Sequence, residues 1–171
     1  MCIRDSSNPG GRFIVKDSSG NVGIGTTNPA TKLHVIGDIA ATDDVIAYYS
    51  DIRLKNITSN INNAIDIIDN LTGFYYVPNE LAASFGYKNK SQEVGLSAQE
   101  VKKVLPEIVK IAPFDMQLDE NNEIKSKSGE NYLTINYERM IPVLVEGIKE
   151  LKLNFANMRK EIDMIKKIIA I

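Results

Sequence analysis

The residues able to do chemistry in this chain are few in kind. One histidine, His34, leaves no second imidazole for a His-rich metal site and only one candidate for a Ser-His-Asp triad. One cysteine, Cys2, can neither close an internal disulfide nor build a cysteine zinc site. Catalysis, if there is any, must therefore rest on Ser, Thr, Lys, Tyr or the carboxylates. Asp115, Asp119, Glu120 and Glu123 form a local acidic group, but their spacing fails the EF-hand pattern and no glycine falls at the turn position. They read as a solvated loop, and neither a metal nor a cofactor is expected. His34 lies in an alternating apolar run and reads as a packing or surface residue.

The composition narrows the class further. With 20 Lys+Arg against 22 Asp+Glu the formal charge is −2, without the basic excess of a dedicated nucleic-acid binder. At 43% hydrophobic and 25% charged residues, the chain has an ordinary globular balance. No run of about 18 apolar residues predicts a transmembrane helix, and the start, MCIRDSSNPGG, has no apolar core of a secretory signal. MCIRD instead resembles translated read-through of a sequencing adapter. On that reading residues 1–11 are disordered or artefactual, Cys2 is foreign, and the natural protein extends upstream.

Three regions must position whatever chemistry exists. Residues 12–49 alternate short β-prone runs (13–15, 22–24, 32–36 and 45–49) with turn signals, such as Thr27-Asn28-Pro29. Strands this short bury too little apolar surface to stand alone, so they should pair with other chains or a longer stalk. In residues 50–136, Ile57, Ile61, Ala64, Ile65, Ile68 and Leu71 recur at helical spacing and predict an amphipathic helix ending near Thr72-Gly73. Strands are expected at 74–77, 93–96, 108–111 and 132–135. Ser97, three residues before Glu100, marks a capping box for a helix that Pro106 stops. Residues 115–130 read as an exposed hairpin or loop.

Residues 137–171 are the most periodic. Ile141, Leu144, Ile148, Leu151, Phe155, Met158, Ile162, Ile165 and Ile169 alternate steps of three and four, giving a and d positions of successive heptads. Arg159, Glu161 and Lys166 fall at flanking positions. This strict repeat favours a parallel oligomeric coiled coil over a lone amphipathic helix. Ile at a with Leu at d suits two strands, whereas Phe155 at a and Ile165 at d push toward more. Pro142 must lie in the first turn or two of the helix. The fold class expected is α+β: a short β-stalk fragment, a small mixed α/β domain, and a long C-terminal helix forming an oligomeric coiled coil.

Where the β-rich region meets the second region stands SDIRLKNI (50–57). It resembles the opening motif of the intramolecular chaperone domain of phage tail spikes and tail fibres, the endosialidase-type C-terminal domain or peptidase S74. Three further segments follow in the same order as in that family. VGIGTTNPATKLHV (22–35) is similar to the β-stalk found upstream, EVGLSAQEVKKVLPEIV (93–109) to the middle motif, and YLTINYERMIPVLVEGIKEL (132–151) to the closing helical motif. A related domain occurs in the myelin regulatory factor transcription factors, whose DNA-binding part lies outside it.

The resemblance implies a self-cleaving serine endopeptidase and trimerisation chaperone. The domain would assemble as a homotrimer, drive folding of the upstream stalk of its own chain, and then cut itself off by a Ser-Lys dyad. By position Ser50 is the nucleophile and Lys55 the general base, and the scissile bond is Tyr49-Ser50. Asp51, Arg53 and Asn56 match the motif as local hydrogen-bonding and positioning residues. The implied divisions are 12–49 for the stalk end, 50–136 for the chaperone and autoprotease, and 137–171 for the coiled coil. The implied setting is a virion tail fibre assembled in the host bacterial cytoplasm, with no nucleic-acid or membrane partner. The alternatives are a non-cleaving trimerisation tip that stays on the fibre, and a glycan-binding tip. The second is disfavoured by the lack of Trp and of a clustered Tyr platform beyond Tyr48-Tyr49 and Tyr75-Tyr76.

Physical chemistry limits the dyad. A lysine of ordinary pKa, about 10.4, is neutral only about once in 2,500 at pH 7. A lysine base therefore works where burial favours its uncharged form, and assembly is one source of burial. Five residues of helix turn through about 140°, and five of strand end on opposite faces. Ser50 and Lys55 can meet only if the chain turns between them, and a strand-to-helix transition is the turn expected.

Overall fold

The computed structural model describes residues 13–15, 20–121 and 123–169. Residues 1–11, with Cys2 and the adapter-like start, lie outside the described residues. The chain divides into two compact units, Met1–Asn56 with Ile111–Tyr132, and Ile57–Lys110 with Leu133–Ile171.

In the first unit three short strands, β1 (Phe13–Val15), β2 (Val22–Ile24) and β3 (Leu33–Val35), form one sheet in that order. β1 and β2 run antiparallel and β2 and β3 parallel, with Val22 opposite Leu33 and Ile24 opposite Val35. A side chain at Gly23 would collide with the Thr26 carbonyl, and Gly25 takes a φ of +72°, so glycines make the turn after β2. The strand expected at 45–49 does not form. Those residues have no regular structure, and Val45 and Ile46 are more than four-fifths exposed. β-propensity alone does not hold an isolated strand in water without a hydrogen-bonding neighbour.

The other segment of this unit carries the hairpin. The turn Pro113–Asp115 leads into β7 (Met116–Leu118), which pairs antiparallel with β8 (Ile124–Ser126). Asp115, read above as part of a solvated loop, is buried instead, at 2% exposure. Its Oδ2 accepts from the Ser126 hydroxyl (2.7 Å) and the Tyr132 N–H (3.1 Å), and its Oδ1 from the Ser128 N–H (2.8 Å). Burial pushes this carboxyl up, but the Ser126 hydroxyl and the Ser128 and Tyr132 amides outweigh it and hold it at about 2.

The second unit holds a small core of Ala64, Val101, Ile108, Met140 and Val143, flanked by Ile67, Ile68, Leu71, Leu96 and Ile135. The helix expected over 57–71 is reduced to α1, Ala64–Asp69. Thr58, Ser59, Asn60, Asn62 and Asn63 are poor helix formers, and Asn63 sits in the left-handed region at φ 56°. β4 (Gly73–Tyr76) and β5 (Glu93–Leu96) pair antiparallel, with the short α2 (Glu80–Ser84) between them. α3 (Ala98–Val104) starts at the expected cap, where the Ser97 hydroxyl accepts from the Glu100 N–H at 3.3 Å. Glu100 does not complete the box, because its carboxylate accepts from the Thr72 N–H instead (3.0 Å). β6 (Val109–Ile111) pairs with β9 (Leu133–Ile135).

α4 (Ile141–Ile169) runs for 29 residues, with Pro142 in its first turn where no helical hydrogen bond is lost. Two of its faces differ. Val143 and Gly147 are buried against α1. All nine heptad residues are exposed in the single chain, from Leu144 at 46% to Ile169 at 77%. The molecule is thus mixed α/β with a long C-terminal helix.

Candidate functional site: a serine and a lysine across one turn

The junction segment is shaped by one acidic side chain. Asp51 sits extended (φ −62°, ψ 131°) ahead of a single 3-10 turn, Ile52–Leu54. Its Oδ1 accepts from the Arg53 backbone N–H at 2.9 Å and so caps the turn. The same carboxylate grips the Arg53 guanidinium through Nη2 (2.6 Å) and Nε (3.1 Å). The Arg53 side-chain and backbone bonds hold the Asp51 carboxyl below the usual carboxylate range, and its charge raises the Arg53 guanidinium in turn.

That turn brings the ends of the segment together. The Leu54 N–H donates to the Asp51 carbonyl and the Lys55 N–H to the Ile52 carbonyl. Lys55 returns to extended backbone, and its Nζ lies 3.5 Å from Ser50 Oγ. The reversal comes from this isolated turn and not from the expected strand-to-helix transition, since α1 starts only at Ala64. Both side chains are exposed in the single chain. Upstream, the Tyr48 and Tyr49 rings meet edge to face at 6.5 Å. Asn56 follows immediately, also exposed.

Chemically, a hydroxyl and an amine at the long limit of hydrogen bonding are the two groups that nucleophilic catalysis with a lysine base requires. Among the described residues no group of three His, Cys, Asp or Glu could hold a metal ion, and no helix is long and apolar enough to cross a membrane.

Residues 50–110 match the family model described as "Chaperone of endosialidase", designated peptidase S74. The match begins at Ser50 itself. This segment is similar to chaperone-of-endosialidase domains. The chain is also 33% identical over 102 residues to the long tail fiber protein Gp37 of Enterobacteria phage K3, covering 60% of this chain and 7% of that protein. Gp37 of Enterobacteria phage T2 is 33% identical over the same length, with 6% of it covered. The chain thus spans less than a tenth of the length of these curated relatives. Phage tail fibre proteins are what it resembles outside the family model as well as within it.

Reading the sequence missed two polar clusters. Glu93 accepts from the hydroxyls of Tyr76 and Tyr87 and from the Asn89 amide, each at 2.7 Å. The bond to Glu93 pushes the Tyr76 hydroxyl up to about 12. Glu150 on α4 accepts from the Ala64 and Ile65 N–H groups, each at 2.9 Å. The glycine within α4, one turn before Glu150, was the available signal for such a close approach of two helices.

Proposed function

We propose that this chain is the C-terminal intramolecular chaperone of a phage tail fibre or spike. It trimerises, promotes folding of the stalk whose end is residues 12–49, and releases itself by autoproteolysis at Tyr49-Ser50. Residues 50–136 act as chaperone and autoprotease and 137–171 as the coiled coil. The Ser50 Oγ–Lys55 Nζ approach of 3.5 Å, at the first residues of the family match, carries the proteolytic part of this reading. The exposed heptad stripe of α4 supports assembly.

In the reaction, Ser50 Oγ attacks the Tyr49 carbonyl carbon while the neutral Lys55 amine takes the hydroxyl proton. That proton passes to the Ser50 nitrogen as the C–N bond breaks, leaving the Tyr49 acyl group as an ester on Ser50 Oγ. Water then hydrolyses the ester, freeing the Tyr49 carboxylate and the Ser50 amine. Because the attack is within one chain, effective molarities of about 10⁵ to 10⁸ M are available to a modest dyad. Asp51 and Arg53 are positioning residues that hold the turn. Assembly occurs in the host cytoplasm, and the stalk stays with the virion.

Expression of the wild type beside Ser50→Ala and Lys55→Ala, read by intact mass, tests the proposal. The wild type should yield a fragment spanning residues 50–171, and both variants should remain whole. The exposure of Ser50 and Lys55 in the single chain favours one competitor, a trimerisation tip that never cleaves. An intact wild-type chain in an assembled oligomer would establish that competitor.

A further inference from the structure

The segment from Ser50 to Asn56 carries three charged side chains, Asp51, Arg53 and Lys55, and all of it is exposed in the single chain. Two of the three are paired with each other. Arg53 Nε donates to both carboxylate oxygens of Asp51, at 3.1 Å each, and Arg53 Nη2 donates to Oδ2 at 2.6 Å. Lys55 is left to the serine. Among the described residues, its Nζ has one hydrogen-bond partner, Ser50 Oγ at 3.5 Å, and takes part in no ion pair.

The bonds that make the turn do not use the guanidinium. They run from the Leu54 and Lys55 N–H groups to the Asp51 and Ile52 carbonyls, and from the Arg53 N–H to Asp51 Oδ1. Any residue but proline at position 53 would supply that N–H. What the guanidinium adds is a partner for the carboxylate. The bonds from Arg53 do most to hold the Asp51 carboxyl low, and the Lys55 charge adds to them, so the carboxylate lies within electrostatic reach of the amine. A free carboxylate there would compete with Ser50 for Lys55, and would favour the charged ammonium that cannot act as a base. The planar arginine fork wins that competition, because it matches both carboxylate oxygens at once, whereas an ammonium is a point charge.

Resting on the autoproteolytic reading above, we infer that Arg53 is a positioning residue for self-cleavage, which occupies the Asp51 carboxylate and so leaves the Lys55 amine to Ser50. Asp51 can then cap the turn without capturing the base that the turn delivers. The positive charge of Arg53 acts in the same direction, since a neighbouring cation disfavours protonation of an amine. Arginine at position 53 thus separates two uses of one carboxylate, a wanted cap and an unwanted ion pair.

The experiment compares the full-length wild type with Arg53→Ala and with the double variant Asp51→Asn, Arg53→Ala. Asparagine keeps an oxygen to cap the turn and brings no charge. Chains are made in a brief pulse of cell-free translation, and cleavage at Tyr49-Ser50 is followed over time by intact mass. In an uncleavable Ser50→Ala background, NMR of isotope-labelled lysine follows the titration of Lys55, assigned by comparison with Lys55→Arg. Arg53→Ala should cleave about three- to tenfold more slowly, and its Lys55 titration should move up by about half to one pH unit. The double variant should recover to within about twofold of the wild-type rate, with the titration returned. Full-rate cleavage by Arg53→Ala overturns the inference. So does slow cleavage with an unmoved titration, or a double variant no faster than Arg53→Ala, since Arg53 would then serve the turn alone. A wild type that does not cleave overturns the autoproteolytic reading itself, while the Lys55 titration in the Ser50→Ala background still reports whether Arg53 keeps Asp51 from the amine.

Discussion

At the scale of single residues, motif and environment separate cleanly. The approach of Ser50 to Lys55 is a local relationship, in which a turn capped by Asp51 draws the two ends of six residues together, although the sequence pointed to a strand-to-helix transition and not to this isolated turn. Asp115 was not legible, because its burial depends on Ser126, Ser128 and Tyr132 folding back over it from 11 to 17 residues away. A polar run in sequence looks the same whether its carboxylate faces water or closes a loop. Replacing Asp115 with alanine should leave the Ser128 and Tyr132 amides without their acceptor, and their hydrogen exchange should quicken by about 10- to 100-fold. The pH dependence has a definite sign. The folded carboxyl, at about 2, lies below its ordinary value of 3.8, so the unfolded state binds the proton first. This contribution to stability is complete above the ordinary value and is lost as pH falls toward 2. Acid titration of the hairpin followed by NMR should show that loss in the wild type and not in Asp115→Ala.

At the scale of elements, periodicity located helices only where no distant group intervened. The apolar spacing over 57–71 picked out Ala64, Ile68 and Leu71 among the residues packed on the core, but not Ile67 and not the beginning of α1. Residues 57–63 carry too many Asn, Ser and Thr to stay helical, and the cap that starts α1 comes from another helix. Ser97, whose cap is local, set the start of α3 within a residue. Gly147 makes the α1–α4 contact testable. Gly147→Ala should be nearly neutral. The alanine gains about 1 kcal/mol of helix propensity, and the nearest obstruction, 2.7 Å from the added carbon, is the flexible tip of Ile68. Gly147→Val adds branches that also press on Ala64, and should destabilise the domain by about 1 to 3 kcal/mol. Urea unfolding of both variants in an uncleavable Ser50→Ala background would measure this difference. A Val variant as stable as Ala would mean that α1 and α4 are not closely packed.

At the scale of the whole molecule, the sequence pattern and the single chain point the same way. Heptads are legible without any structure because they specify a surface and not a contact within the chain. Their residues emerge on α4 as a continuous apolar stripe in water. The junction tells the same story: Ile39, Val45, Ile46 and Tyr48 are all more than 70% exposed, and 45–49 lacks the strand its residues favour. On the proposed function, strands of neighbouring copies would pair with this apolar segment, which completes no sheet within its own chain. On the same proposed function, the dyad is completed only where copies cover Ser50 and Lys55, which are exposed in the single chain. Cleavage would then be withheld until the fibre end is built. The double substitution Ile148→Asp with Ile162→Asp places charges at two a positions of the stripe, on the side away from α1. Light scattering should then show a monomer, and intact mass should show cleavage slowed by about a hundredfold or more. A monomer that cleaves at the wild-type rate would show that the dyad needs no partner, and that cleavage cannot serve as a checkpoint on assembly.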